Sequence, residues 1–334
     1  MKRWIDATFQ ERKLMLQQTA AKENLPEYAV EKDWWVTMTL KALFNTRCGK
    51  YLEFKGGTSL SKGWMLIERM SEDIDMALNH RFFVETLDNN TQLKNLRKKS
   101  RKFIADKLAC ELDVCMKDLG LTNYKIIPVI DDDAGNAIST DADPTVLLVD
   151  YKPISEFVSP YVASRVKVEL SCLSMDEPFE MKSITSLISS SFPEEDEDTE
   201  SVIPVVLPSR TFLEKAFLLN EEFQKDEPRS FRMTRHLYDL ERLMDTRFGR
   251  NALSDFDLYS KIVEHRRKFY HVGYADYDKD YPDKIDFLPP ERCMAAWKAD
   301  YSEMLEHFVY GRKIPFEQLI ERLLVLRNRF HDLK

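Results

Sequence analysis

The sequence predicts an α+β fold: a small mixed sheet with flanking helices, followed by a mainly helical C-terminal half. Three observations carry this. β-like runs at 51–54, 124–129, 145–149 and 163–172 all fall in the first part of the chain. Beyond residue 210 the apolar residues recur with the helical period instead. Soon after the first β-like run, a glycine pair, a helix-compatible stretch and a D-x-D strand follow one another closely.

In chain order, residues 5–23 read as a helix. A second helix covers 26–43, opening near Glu27 with Trp34, Trp35, Met38 and Leu40 on apolar faces. The run at 51–54 leads into Gly56-Gly57-Thr58-Ser59-Leu60-Ser61, and a helix-compatible segment extends from Leu60 to Arg69. Ser71-Glu72-Asp73-Ile74-Asp75-Met76 follows, then a charged helical segment over about 87–119. The acidic cluster at 131–136 reads as turn chemistry, since its spacing and closing residue are wrong for a calcium loop. Residues 193–204, acidic and flanked by prolines, read as a mobile connection peripheral to the chemistry. Helices are expected at 211–223, 234–244, 258–268, 291–308 and 315–330, giving domains at 1–203 and 204–334.

Chemistry concentrates at 56–75. Alternate residues of a strand share a face, so Asp73 and Asp75 point the same way. Two such carboxylates repel one another unless a cation lies between them, and hard oxygen donors suit Mg²⁺ or Mn²⁺. Gly56 and Gly57 allow a tight turn whose N–H groups approach phosphate oxygens, with Thr58, Ser59 and Ser61 adding hydroxyls. A D-x-D alone is common on solvated strand edges; in this order, with the glycine pair, it points to phosphoryl or nucleotidyl transfer. A P-loop is excluded, because Lys62 is followed by Gly63. In the last β-like run Val166, Val168 and Leu170 alternate with Lys167 and Glu169, making Glu169 a candidate third carboxylate.

The glycine pair and D-x-D resemble the signature of the DNA polymerase-β-like nucleotidyltransferase superfamily. Further runs are similar to its AbiEii/AbiGii toxin branch: Glu31-Lys32-Asp33-Trp34-Trp35, Arg210-Thr211-Phe212-Leu213-Glu214-Lys215 and Arg235-His236-Leu237-Tyr238-Asp239-Leu240. The ending, Asp300-Tyr301-Ser302-Glu303-Met304 through Pro315-Phe316, is also similar, so the likeness spans nearly the whole chain. The resemblance implies a metal site of Asp73, Asp75 and Glu169, with catalysis shared by Lys215 and Asp239. It implies nucleotide binding by Gly56, Gly57, Thr58, Ser59, Ser61, Lys215 and Arg235. It also implies a nucleoside triphosphate substrate, an RNA acceptor such as the 3′ end of tRNA, a cognate antitoxin, and a role in abortive infection or phage defence. A small-molecule nucleotidyltransferase of the antibiotic-modifying kind, or an idle nucleotide- or RNA-binding module, remain the alternative readings.

Composition fits a cytoplasmic enzyme without a membrane segment, since no apolar run approaches the roughly 18 residues a span requires. Five scattered cysteines without C-x-x-C read as reduced, buried thiols. A net charge of −8 argues against a general nucleic-acid binder. Locally, Lys94, Arg97, Lys98, Lys99, Arg101 and Lys102 form a basic run, either a solvated helix face or a phosphate-tracking patch.

Overall fold

The computed structural model describes residues 3–87, 89–155, 163–174, 177–197, 199–270 and 273–333. The chain divides into two compact units, Met1–Gly63 with Ser71–Val205, and Trp64–Met70 with Val206–Lys334.

In the first unit a capping box starts α1 (Phe9–Glu23). The Thr8 hydroxyl accepts from the Glu11 amide while the Glu11 carboxylate accepts from the Thr8 amide. That cap splits the helix expected over 5–23, leaving Trp4–Asp6 as a separate 3₁₀ turn. After α2 (Glu27–Phe44), β1 (Leu52–Lys55) runs into one helical turn, α3 (Gly56–Thr58), and a wider turn, Ser59–Gly63. The helix expected to reach Arg69 stops there, and Met65 takes a left-handed φ of 52° that no helix tolerates.

β2 (Asp73–Leu78) follows, then α4 (Asn90–Phe103), a wide turn at Ile104–Leu108 and α5 (Ala109–Asp118). β3 (Tyr124–Pro128), β4 (Thr145–Tyr151) and β5 (Arg165–Ser171) occupy the three later β-like runs. β6 (Phe179–Ile184), the short α6 (Leu187–Ser191) and β7 (Ser201–Val206) were not expected from periodicity. Among the described residues the strands form one seven-stranded mixed sheet, ordered β3-β4-β5-β2-β1-β7-β6. β2 lies at its centre, antiparallel to β1 and parallel to β5. The inward residues Ile74, Met76, Val166, Val168 and Leu170 are fully buried there.

The segment at 193–204 is not a peripheral connection. Asp196 is 1% exposed and accepts hydrogen bonds from the Trp4 amide (3.0 Å), Trp34 Nε1 (3.1 Å) and Ser186 Oγ (3.3 Å). Beyond it, β7 joins the sheet beside β1 through Phe54 and Val205. An acidic composition concealed a buried acceptor, because indole and backbone donors inside a core need an oxygen to bond. The cysteines also depart from expectation: all are free, but only Cys48 and Cys172 are buried, while Cys110 is exposed.

The second unit is helical. α7 (Pro208–Glu222) starts with proline in its first turn, where a missing N–H costs nothing. α8 (Thr234–Leu243) is followed by α9 (Arg247–Ser254), a short helix that periodicity did not reveal, then α10 (Phe256–Phe269), α11 (Met294–His307) and α12 (Phe316–His331). Phe212 stacks on Phe330 at 6.0 Å between centroids, and Phe217 meets Tyr259 edge-on at 5.1 Å. The residues at 64–70 are tied into this unit along their length. Trp64 Nε1 donates to the Val206 carbonyl (3.0 Å), Glu68 pairs with Arg242 (2.8 Å), and the Met70 amide donates to the Phe308 carbonyl (2.7 Å). Among the described residues no helix is long and apolar enough to cross a membrane.

Candidate active site

Three carboxylates share one face of the first unit's sheet. Asp73 and Asp75 alternate with buried Ile74 on β2, and parallel pairing sets Asp75 opposite Glu169 and Asp73 opposite Lys167. Register therefore places Glu169 beside the D-x-D, with all three carboxylates half-buried. Lys167 is on the same face and ion-paired to Glu169. Burial works to lower the Lys167 pKa, but the charges of Glu169, Asp73 and Asp75 outweigh it, and the ammonium is held above its ordinary value.

The glycine turn is built against this face. Gly56 has φ +79°, and a Cβ there would lie 1.9 Å from Asp75 Oδ2. Only a residue without a side chain allows both the left-handed turn and that contact. Thr58 donates its hydroxyl proton to the Asp73 carbonyl and has Ser71 Oγ 2.9 Å away, so it fastens the turn to the start of β2. Ser59 is fully buried and donates to the Gly56 carbonyl (2.9 Å), while Ser61 donates to the Thr58 carbonyl (3.1 Å). Both hydroxyls thus bond within the turn.

The charged run at the start of α2 supports the same region. Lys32 is ion-paired to Glu72, next to Asp73, and donates to the Ala163 carbonyl (3.1 Å). Asp33 pairs with Lys62 at the end of the glycine turn and accepts from the Leu187 amide (2.8 Å), anchoring α6. Glu31 accepts from the Ile154 and Ser155 amides (2.7 and 3.0 Å), and burial raises its pKa against those bonds. These residues hold the strand and turn that carry the candidate site.

The second unit contains a different cluster. Asp239, fully buried on α8, accepts from Arg69 Nε and Nη2 at 2.7 Å each and pairs with Lys215 Nζ of α7 at 2.8 Å. Burial pushes the Asp239 pKa up, but Arg69 and Lys215 override it and hold the carboxyl below its usual range. Burial also lowers the Lys215 pKa, with Asp239 opposing and Arg69 and Arg235 adding to the shift. His236 has Nδ1 3.4 Å from Lys215 Nζ, and burial plus the charges of Lys215, Arg235, Arg69 and Arg229 push its pKa well below 6.5. The imidazole is therefore neutral at pH 7 in a strongly positive field. Asp300, from the C-terminal run, fixes α8 by accepting from the amides of Arg232 (2.6 Å) and Thr234 (3.1 Å).

The expected site residues thus form two groups, one in each unit. Asp73, Asp75 and Glu169 gather with the Gly56 turn; Lys215 and Asp239 gather with Arg69 and His236, under the charge of Arg235. Sequence reasoning missed Arg69 and Lys167. Arg69 meets Asp239 across 170 positions, which no local pattern reports. Lys167 could have been found, because its alternation with Glu169 already placed it on the carboxylate face. Among the described residues no group of three or more His, Cys, Asp or Glu side chains is arranged to hold a metal ion.

The chain, with a mixed sheet in which a glycine turn closes on a D-x-D strand and with a second unit of helices, is a nucleotidyltransferase by its family match. Within that class the chain belongs to the AbiEii family of nucleotidyl transferase toxins of type IV toxin–antitoxin systems, whose family model matches residues 39–322. Among solved structures, MenT4, a nucleotidyltransferase toxin from Mycobacterium tuberculosis H37Rv, is similar to 96% of this chain over 90% of its own, with a TM-score of 0.53. Its sequence identity is 15%, so the likeness concerns the fold. Comparison with curated proteins gives no match.

Proposed function

We propose that this toxin transfers a nucleoside monophosphate from a nucleoside triphosphate to the terminal hydroxyl of an RNA, tRNA being the leading acceptor. The observation that carries the reading is the face on which Asp73, Asp75 and Glu169 stand in adjacent register against a turn that only glycine can make. The donor chemistry suits a divalent ion although the three side chains are not gathered as a ready site: Asp73 and Asp75 share the face, Glu169 would join them on turning away from Lys167, and the Gly56 backbone lies where a side chain would intrude. Mg²⁺ or Mn²⁺ held there by Asp73, Asp75 and Glu169 would polarise the phosphoryl oxygens and favour the alkoxide form of the acceptor.

In this reading the acceptor oxygen attacks the α-phosphorus in line. The new O–P bond forms as the bond from the α-phosphorus to the bridging oxygen breaks, and pyrophosphate leaves carrying the electron pair. The acceptor proton passes to the carboxylate face or to water. Backbone N–H groups of Gly57 and Thr58 hold the outer phosphates. Within the second unit Asp239 holds Lys215 together with Arg69, and Lys215 is the cation that the family resemblance assigns to nucleotide binding. Burial first, then the charges of Lys215, Arg235, Arg69 and Arg229, keep His236 neutral, and those cations would favour an anion near this cluster.

For the acceptor, support comes from α4. Lys94, Lys98 and Lys102 are exposed at four-residue spacing, with Lys99 exposed beside them. Like charges at that spacing weaken a helix by roughly 0.2–0.5 kcal/mol per pair, a cost that a phosphate-binding surface would offset. Arg101 is different: it is buried and donates to the Val129 carbonyl (3.1 Å), holding the fold.

The deciding experiment incubates the full chain with each α-labelled nucleoside triphosphate, Mg²⁺ and bacterial RNA. Label should enter RNA, with a yield that falls steeply as salt rises. Asp73→Ala and Asp75→Ala should each lower transfer by about 100-fold or more while unfolding at near-wild-type temperature. Wild-type transfer in either variant would end the D-x-D assignment. Label entering only small molecules would replace RNA as the acceptor.

A further inference from the structure

Lys167 stands on the carboxylate face itself. It occupies the β5 position paired with Asp73, while its neighbours Val166 and Val168 point the other way and are fully buried. Its ammonium is committed to Glu169, two residues on. The side chain is 41% exposed, against 28% for Glu169, so neither lies in a sealed core that would require a buried ion pair. A cation is thus built into the face that carries Asp73, Asp75 and Glu169. Glu169, the residue that would complete a three-carboxylate donor set, is the one it holds.

We propose that Lys167 is a positioning residue acting through Glu169: it serves as the face's own counter-cation and withholds Glu169 from a divalent ion, thereby setting the concentration at which the ion binds. The inference rests on the reading that Asp73 and Asp75 hold a divalent ion. Two effects act in the same direction. Binding must break the Lys167–Glu169 pair before Glu169 can turn to the ion, and the ammonium repels a second cation on the same face. At a half-exposed site each effect is strongly screened, and together they amount to about tenfold in affinity.

The test uses the whole protein without nucleotide and reads the unfolding temperature as Mn²⁺, and separately Mg²⁺, is titrated. Wild type, Lys167→Gln, Lys167→Arg, Asp73→Ala and the double variant Lys167→Gln/Glu169→Gln are compared. Lys167→Gln should unfold earlier than wild type without metal, because the face loses one of the charges that oppose its carboxylates. Its half-maximal metal concentration should be about tenfold lower. Lys167→Arg should stay close to wild type, and the double variant should lose the gain, since the ligand released is Glu169. An unchanged half-maximal concentration in Lys167→Gln, with the response abolished in Asp73→Ala, would overturn the inference and leave the metal reading standing. A gain that persists in the double variant would overturn the route through Glu169. No response in wild type or in Lys167→Gln would overturn the inference and the metal reading together.

Discussion

Gly56→Ala tests whether the glycine turn and Asp75 form one unit. At φ +79° an L-residue costs roughly 1 kcal/mol relative to glycine. The added Cβ would also lie 1.9 Å from Asp75 Oδ2, 2.7 Å from its Cγ and 2.8 Å from its Cβ. Rotating the Asp75 side chain relieves the first two contacts but not the third, so β2 and the turn must separate by some tenths of an ångström. Overpacking of that kind costs about 1–3 kcal/mol, giving a total near 2–4 kcal/mol. Displacing a reacting group by about 1 Å costs on the order of 100-fold in rate, so transfer should fall by that factor at temperatures where the variant is folded. Gly135→Ala is the control: its φ is +81°, but nothing lies within 4 Å of the added carbon. It should lose about 1 kcal/mol and no activity. Urea unfolding and label transfer, measured on both variants, separate the two terms. If Gly56→Ala matches Gly135→Ala in both measurements, the contact with Asp75 does not constrain the site and the reasoning fails.

Other outcomes follow from the buried charges. Asp239→Ala leaves Arg69 and Lys215 without their shared carboxylate, which should cost about 3–5 kcal/mol by denaturant unfolding; a loss below 1 kcal/mol would contradict the buried network. Lys215→Met, which keeps the Arg69–Asp239 pair, should weaken use of the triphosphate at far smaller cost to stability, and wild-type kinetics in it would remove Lys215 from the reaction. The His236 pKa lies well below 6.5, so as pH falls past 6.5 the unfolded chain takes up a proton that the folded chain refuses. Stability should drop by up to about 1.4 kcal/mol per pH unit from this group, and His236→Gln should show a shallower acid limb between pH 6.5 and 5.5; parallel limbs would refute the assignment. Asp196→Ala orphans the Trp34 indole and the Trp4 amide, so a loss of roughly 2–4 kcal/mol is expected, and a fully stable variant would return 193–204 to the status of a dispensable connection.

Much of the molecule could be read from local pattern. Period-two alternation located β2 and β5, and the placement of Asp73, Asp75 and Glu169 on the face away from Ile74 and Val168 followed from it, because side chains of a strand must alternate. Helical periodicity found α7, α8 and α10 to within a few residues, since each buries one apolar stripe. Pattern failed where the deciding partner was remote. Asp196 looked like one more solvated acid until Trp4 and Trp34 supplied buried donors. Residues 64–70 looked helical until Trp64, Glu68 and Met70 found partners in a helical unit distant in sequence.

By itself the sequence pointed to the catalytic class, through a glycine pair followed at short range by D-x-D and the family likeness, while an idle binding module stayed open until the family match over residues 39–322. It also determined which side of each strand those charges take. Tertiary structure alone decided who neutralises whom. Register set Lys167 and Glu169 beside the aspartates, and folding brought Arg69 to Asp239 and Lys215. The reason is physical: alternation and helix period act over a few residues, whereas the energy of a charge depends on its nearest partner and its access to water, and both are fixed only when distant segments pack.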